Sequence, residues 1–212
     1  MNDVVYHASP KQGLGVINPL SDNKNGRKVV CASKDEVIAS LFLGRTGGDY
    51  TCCLGREIIF NIPYLVERFP GAFRLKYNIP ASLYELPSST FFNDGSTWDD
   101  EVISHEPVKP VRENKIVNAG EHLLHLETQG KLHIYLYLHR IAAIPDDDSD
   151  LVEKSLMWAK SKGLDEVLKQ VRRFHPGLVD RIKQEWIALK KIKLFSLKPG
   201  FLHKNKKASA EN

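Results

Sequence analysis

The sequence predicts an α+β protein: a split, mainly antiparallel β-sheet core followed by a C-terminal helical appendage. Three observations carry this. Residues 1–144 hold many short apolar or alternating runs separated by clusters of Gly, Pro, Asn and Ser. At Pro145 the composition breaks into Asp146-Asp147-Asp148-Ser149-Asp150. Beyond that break apolar residues recur at helical rather than alternate spacing.

The elements follow in order. Residues 3–7 read as a first strand, and 10–25, rich in turn-forming residues, as a loop. A second strand is expected over 28–32. Residues 34–43 carry Val37, Ile38, Leu41 and Phe42 on one helical face, with Ser33 as the expected cap and Glu36 completing a capping box. Gly44 to Gly48 closes that helix as a loop. Strands are expected over 56–62 and 72–77, with a short helix over 64–69 between them. Further strands are expected over 82–86, 101–104, 108–117 (interrupted at Pro110) and 131–138. In the last, Leu132, Ile134, Leu136 and Leu138 alternate with His133, Tyr135 and Tyr137.

Three helices are then expected. The first, 151–162, ends at Gly163. The second, 164–174, has Leu164, Val167, Leu168 and Val171 on one face. The third, 177–192, has Leu178, Ile182, Trp186 and Leu189 on one face. Those stripes need a surface, and the β unit is the expected one. The domain plan is therefore a β-rich unit over 1–144, a helical appendage packed on it over 145–194, and a basic tail over 195–212.

Composition bounds the function. A chain of 212 residues with 42% hydrophobic and 26% charged residues is ordinary for a soluble globular protein. No apolar run approaches the roughly 20 residues that span a bilayer. Met1-Asn2-Asp3 has neither the positive charge nor the apolar core of a signal peptide, so a cytoplasmic location is expected. Cys31, Cys52 and Cys53 form no Cys-x-x-Cys or Cys/His spacing, which points to reduced thiols and no metal. Net charge is +4, but half of the 30 Lys and Arg residues follow Pro145, and seven lysines with no acid run from Lys190 through Lys207. Such a tail offers a surface to nucleic acid or an acidic protein through counterion release.

Two distant segments carry the candidate chemistry. Val4-Val5-Tyr6-His7-Ala8-Ser9 ends an apolar strand in a histidine beside small residues, and Trp98-Asp99-Asp100-Glu101-Val102-Ile103-Ser104 opens another strand with a carboxylate. A histidine and a glutamate on neighbouring strand ends can grip a ribose and stabilise a cation developing on it. Between them, Val29-Val30-Cys31-Ala32-Ser33 leads from a strand into a helix.

Together these resemble the three-part pattern of the ADP-ribosyltransferase superfamily. Tyr6-His7-Ala8-Ser9 is similar to the aromatic-His-Gly-Ser/Thr signature of the diphtheria-toxin-like and poly(ADP-ribose)-polymerase-like branch, with Ala8 in place of glycine. Val29 to Ser33 resembles the second motif, whose usual tyrosine is replaced by Val30 or Cys31. Glu101-Val102-Ile103-Ser104 resembles the third. The resemblance covers residues 4 to 140 and implies the split-sheet fold, NAD as substrate and no metal.

It further implies mono-ADP-ribosyl transfer, a glycosyl transfer of the toxin-like kind, to an unidentified macromolecular or small-molecule acceptor. On it, His7 contacts the nicotinamide ribose and the Ala8 backbone the carboxamide, with Tyr6 and Ser9 beside them. Glu101 is the catalytic carboxylate, with Asp99, Asp100 and Glu106 as rivals. Ser33 and Arg45 are candidate pocket residues, and Phe42 or Tyr50 a candidate aromatic wall. Two alternatives remain open: a catalytically silent binding module of the same fold, and transfer of an RNA 2′-phosphate to NAD through Arg27, Arg45 and Arg56.

Overall fold

The computed structural model describes residues 3–22, 26–45, 47–95, 98–137, 139, 141–142 and 144–196. It divides into two compact units, one reaching to Leu151 and one beginning at Val152. The architecture is mixed α/β, with a mainly antiparallel sheet and six helices among the described residues.

The first unit is built on strands β1 (Val4–Ser9), β2 (Ser21–Asp22), β3 (Lys28–Ser33), β6 (Ala81–Pro87), β7 (Glu101–Ser104) and β8 (Arg112–Ile116). Their order is β2-β3-β1-β6-β8, with β7 paired to β3, and every pairing is antiparallel. A second, three-stranded sheet joins β4 (Cys52–Arg56), β5 (Pro63–Glu67) and β9 (His133–Tyr135), with β5 and β9 parallel.

Alternation along the strands sends side chains to both faces of the large sheet. Val5, Val30, Ala32, Tyr84, Leu86 and Val102 form one buried cluster. On the opposite side Leu83, with Tyr6 and Ala8 packed alongside, joins Ile38, Leu41, Leu65, Tyr77 and Leu123. These come from α1 (Glu36–Ser40), its C-terminal turn, β5, α2 (Ala72–Tyr77) and α3 (Ala119–Thr128).

The large sheet has one seam. β1 pairs with β6 over six residues, but with β3 only at Tyr6↔Ser33. Past that point β2 pairs with β3, at Ser21↔Val29 and Asp22↔Lys28, and β1 and β3 part. The gap between them positions the candidate site.

Several local expectations are corrected. The helix expected over 34–43 is only Glu36–Ser40, and its cap is Asp35, whose carboxylate accepts the Val37 and Ile38 amides at 2.8 and 3.3 Å. Ser33 cannot cap it, because it is the last residue of β3 and its hydroxyl accepts the Asp35 amide. The strand expected over 56–62 is a hairpin tip between β4 and β5, reversed at Asn61 (φ 56°). Residues 64–69, expected as helix, are mostly β5, a nearly fully buried strand whose continuous apolar run has no period to read.

Residues 72–77, expected as strand, form α2, because Ala72, Lys76 and Tyr77 share its buried face. The strand expected over 131–138 shortens to His133–Tyr135, and Leu138 lies outside the described residues. The unexpected helix α3 carries a readable start: the Asn118 side chain accepts the Gly120 and Glu121 amides.

In the second unit, α4 (Ser149–Lys162, beginning in the first unit), α5 (Leu164–Phe174) and α6 (Val179–Ser196) fall on the predicted stripes. Val167, Leu168, Val171 and Ile182 are buried. Gly163, at φ 86°, separates α4 from α5. The unit boundary lies past residue 144 because buried Arg68 grips Asp148 and Asp150 at 3.0 and 2.8 Å, tying the first turn of α4 into the β unit. Residues 197–212, most of the expected basic tail, lie outside the described residues.

Candidate active site

A cleft of about 260 Å³ opens at the seam of the large sheet, lined by Tyr6, His7, Ala8, Ser21, Cys31, Ala32, Ser33, Ala39, Phe42 and Glu101. The register explains why these residues meet. Tyr6 lies opposite Ser33, and Ser33 opposite Glu101, so three neighbouring strands deliver one row of side chains. His7 follows Tyr6 and so starts from the other face. Its imidazole closes the seam, with Nδ1 2.7 Å from the Cys31 carbonyl oxygen.

That contact assigns the tautomer. A carbonyl only accepts, so Nδ1 carries the proton and donates it. Burial pushes the His7 pKa below the ordinary histidine value, outweighing the opposing effect of the Cys31 carbonyl. The neutral ring therefore keeps Nε2 as an acceptor, the atom suited to a sugar hydroxyl. Ala8 lies within β1 and is not among the positive-φ residues, so alanine here carries none of the backbone strain that would demand glycine.

Glu101 opens β7 from a tight turn. Its amide donates to the Trp98 carbonyl at 2.9 Å, and the Trp98 amide donates to Glu101 Oε2 at 3.3 Å. The carboxylate is thus oriented by backbone, and it is only half-buried. It also acts on Cys31: burial first, and then the Glu101 charge, push that thiol up to about 11. Cys31 is therefore a protonated thiol at neutral pH.

The rival carboxylates are placed elsewhere. Asp100 accepts the Arg56 guanidinium at 3.0 and 3.2 Å, and the same guanidinium reaches Asp35 at 2.9 Å. Asp99 and Glu106 are exposed and do not line the cleft. Arg56 is a clamp missed in the sequence: one side chain joins the cap of α1 to the turn that presents Glu101.

Of the other predicted site residues, Tyr6, Ala8, Ser33 and Phe42 line the cleft with His7 and Glu101, whereas Ser9 and Arg45 do not. The Ser9 hydroxyl is turned to the Lys11 amide, and the Arg45 amide donates to the Lys76 carbonyl. Of the two candidate aromatics, Phe42 lines the cleft, whereas Tyr50 is buried and does not. Ala39 was findable as the residue three before Phe42 in the run expected as a helix over 34–43, although α1 itself ends at Ser40. Ser21 had no local signal, since it arrives through β2 pairing.

No known family, curated protein or solved structure matches this chain. Among the described residues no group of three His, Cys, Asp or Glu could hold a metal ion, and no helix is long and apolar enough to cross a membrane. Arg27, Arg45 and Arg56 do not line the cleft, so they form no phosphate-binding cluster in it.

Proposed function

We propose that this chain is an NAD-dependent mono-ADP-ribosyltransferase. The observation that carries the reading is that His7 and Glu101, far apart in sequence, line one cleft with Tyr6, Ser33 and Phe42. The cleft is smaller than the ~300–1,000 Å³ usual for drug-sized ligands, so it suits the nicotinamide riboside half of NAD and leaves the adenylate half outside.

In this mechanism Phe42 and Tyr6 flank the nicotinamide, the Ala8 backbone meets its carboxamide, and His7 Nε2 accepts a ribose hydroxyl. The bond between C1′ and the nicotinamide nitrogen breaks with its electron pair going to the nitrogen, which leaves neutral nicotinamide. Positive charge spreads over C1′ and the ring oxygen, where the oriented Glu101 carboxylate stabilises it. The acceptor nucleophile then attacks C1′ and passes its proton to Glu101.

The test is saturable binding of NAD, read by thermal shift, together with nicotinamide release, for wild type and His7→Ala. Release that is lost in His7→Ala supports the reading, and no binding by the wild type overturns it. Binding without release would favour the second reading, a silent module, for which the thiol of Cys31 at the second-motif position is the specific observation.

A further inference from the structure

The hairpin between β4 and β5 ends in Ile58, Ile59 and Phe60, which are 100%, 83% and 71% exposed. Three consecutive large apolar side chains in water are not explained by folding, which gains nothing from them there. Large contiguous apolar patches on a surface mark interaction sites, whereas single scattered apolar residues do not.

The tip is built, not frayed. The Glu57 amide donates to the Ile62 carbonyl at 2.9 Å, the Asn61 amide to the Glu57 carbonyl at 3.0 Å, and Arg56 to the Asn61 carbonyl at 2.8 Å. The Glu57 carboxylate accepts from His133 Nδ1 at 2.6 Å and from the Tyr135 hydroxyl at 3.1 Å. Beside the tip runs a groove of about 480 Å³, walled by Tyr64, Tyr135 and Ile141.

Its position is what gives it meaning. Arg56, at the base of the tip, grips Asp100, the residue before Glu101, and Asp35, two residues past Ser33. The tip is therefore held to the turn that presents Glu101 and to the cap of α1, both of which border the cleft. Charge on that rim disfavours a polyanion: Arg56 is shared by two carboxylates, Glu57 pairs with His133, and Asp99 and Glu101 add further negative charge. Nucleic acid demands the opposite, cations spaced along its phosphates.

We propose that the Ile58-Ile59-Phe60 tip and its groove are the docking surface for a protein acceptor, one presenting apolar side chains beside the residue to be modified. The inference rests on the ADP-ribosyltransferase reading and names its acceptor class. A protein surface can bury such a tip in its own apolar recess, and a few central aromatic and aliphatic anchors then dominate affinity.

The experiment uses the full chain, NAD labelled on its adenylate half, and a soluble cell extract divided into protein and nucleic-acid fractions. Wild type is compared with Ile59→Ser/Phe60→Ser, whose exposed substitutions leave the core intact. Nicotinamide release without extract is read in parallel. The expected result is label on protein that falls at least ten-fold in the variant while extract-free release stays within two-fold. Unchanged protein labelling overturns the docking surface, and so does label confined to nucleic acid. Equal loss of labelling and release would make the tip part of the NAD site instead. Wild-type binding to phosphatidylcholine vesicles that the variant loses would make it a lipid-facing tip and overturn the proposal. No release by wild type under any condition sinks the enzymatic reading itself, a distinguishable failure.

Discussion

Replacing Glu101 by Gln removes one negative charge while keeping the side chain's shape and its oxygen for the Trp98 amide, 3.3 Å away in the native turn. Two unit charges about 4 Å apart at an effective dielectric of about 20 interact by about 4 kcal/mol. Glu101 is half-buried, so part of that is screened, and removal of one preorganised charge-stabilising group typically costs about 2.7–4 kcal/mol. Nicotinamide release by Glu101→Gln should therefore fall by about 10²–10³-fold, with KM for NAD little changed, in a discontinuous assay followed for hours. Asp100→Asn is the matched control. It weakens a partly exposed pair with Arg56, a change worth at most about 1 kcal/mol, so release should fall by less than about ten-fold. Equal release by wild type and Glu101→Gln would refute the reasoning. So would an Asp100→Asn loss as severe as that of Glu101→Gln, because the carboxylate doing the chemistry would then be the wrong one.

The same substitution should change Cys31. With the Glu101 charge gone, the thiol falls below its pKa of about 11, and the pH profile of its alkylation by a small maleimide should move to lower pH; an unmoved profile would deny that the two groups face each other. His7 and His122 both titrate below the ordinary histidine value because burial disfavours their charged forms. The unfolded chain then binds protons that the native one refuses, so their contribution to stability is full above about pH 6.5 and is lost as pH falls towards their folded values. Urea midpoints should drop from about pH 7 to about pH 5, with a shallower slope in His7→Asn, and a flat wild-type profile would contradict this. Arg68→Ala leaves Asp148 and Asp150 facing a vacated buried site and should cost about 3 kcal/mol by urea unfolding. A cost below about 1 kcal/mol would show that the start of α4 is secured by other contacts.

Much of the frame was legible where period and turn chemistry agreed. β1, β3, β6 and β7 and the three C-terminal helices lie close to where alternation, helical stripes and Gly163 put them. The middle was not. Ile58-Ile59-Phe60 has strand-like composition but sits at a turn, because Asn61 reverses the chain and Arg56 and Glu57 spend their hydrogen bonds closing it. β5 and α2 were exchanged for a similar reason: a strand buried on both faces at all but Tyr64 shows no alternation, and a six-residue helix is too short to establish a period.

For the site, His7 and Glu101 were visible as chemistry-bearing residues beside apolar runs; Glu101 does open β7, but β1 runs on through His7 to Ser9. Their placement in one cleft depends on β3 lying between β1 and β7, which no local pattern states. That Asp100 is held by Arg56, a partner more than 40 residues upstream, while Glu101 lines the cleft, was likewise not stated by any local pattern.

The single rung at Tyr6↔Ser33 makes the large sheet two ribbons, β2-β3-β7 and β1-β6-β8, joined along a seam by that pair and by the His7 imidazole. One candidate catalytic side chain rides on each ribbon. Their alignment is therefore a single mechanical variable, the dihedral angle between the ribbons. With β1 and β7 two strand spacings apart, about 10 Å, a rotation of about 5° displaces Glu101 relative to His7 by about 1 Å, a misplacement that can cost about 10²-fold in rate. A ligand wedged in the seam would set that angle as well as occupy the site, so contacts that stiffen or splay the ribbons anywhere along their length become a means of tuning the chemistry without touching it.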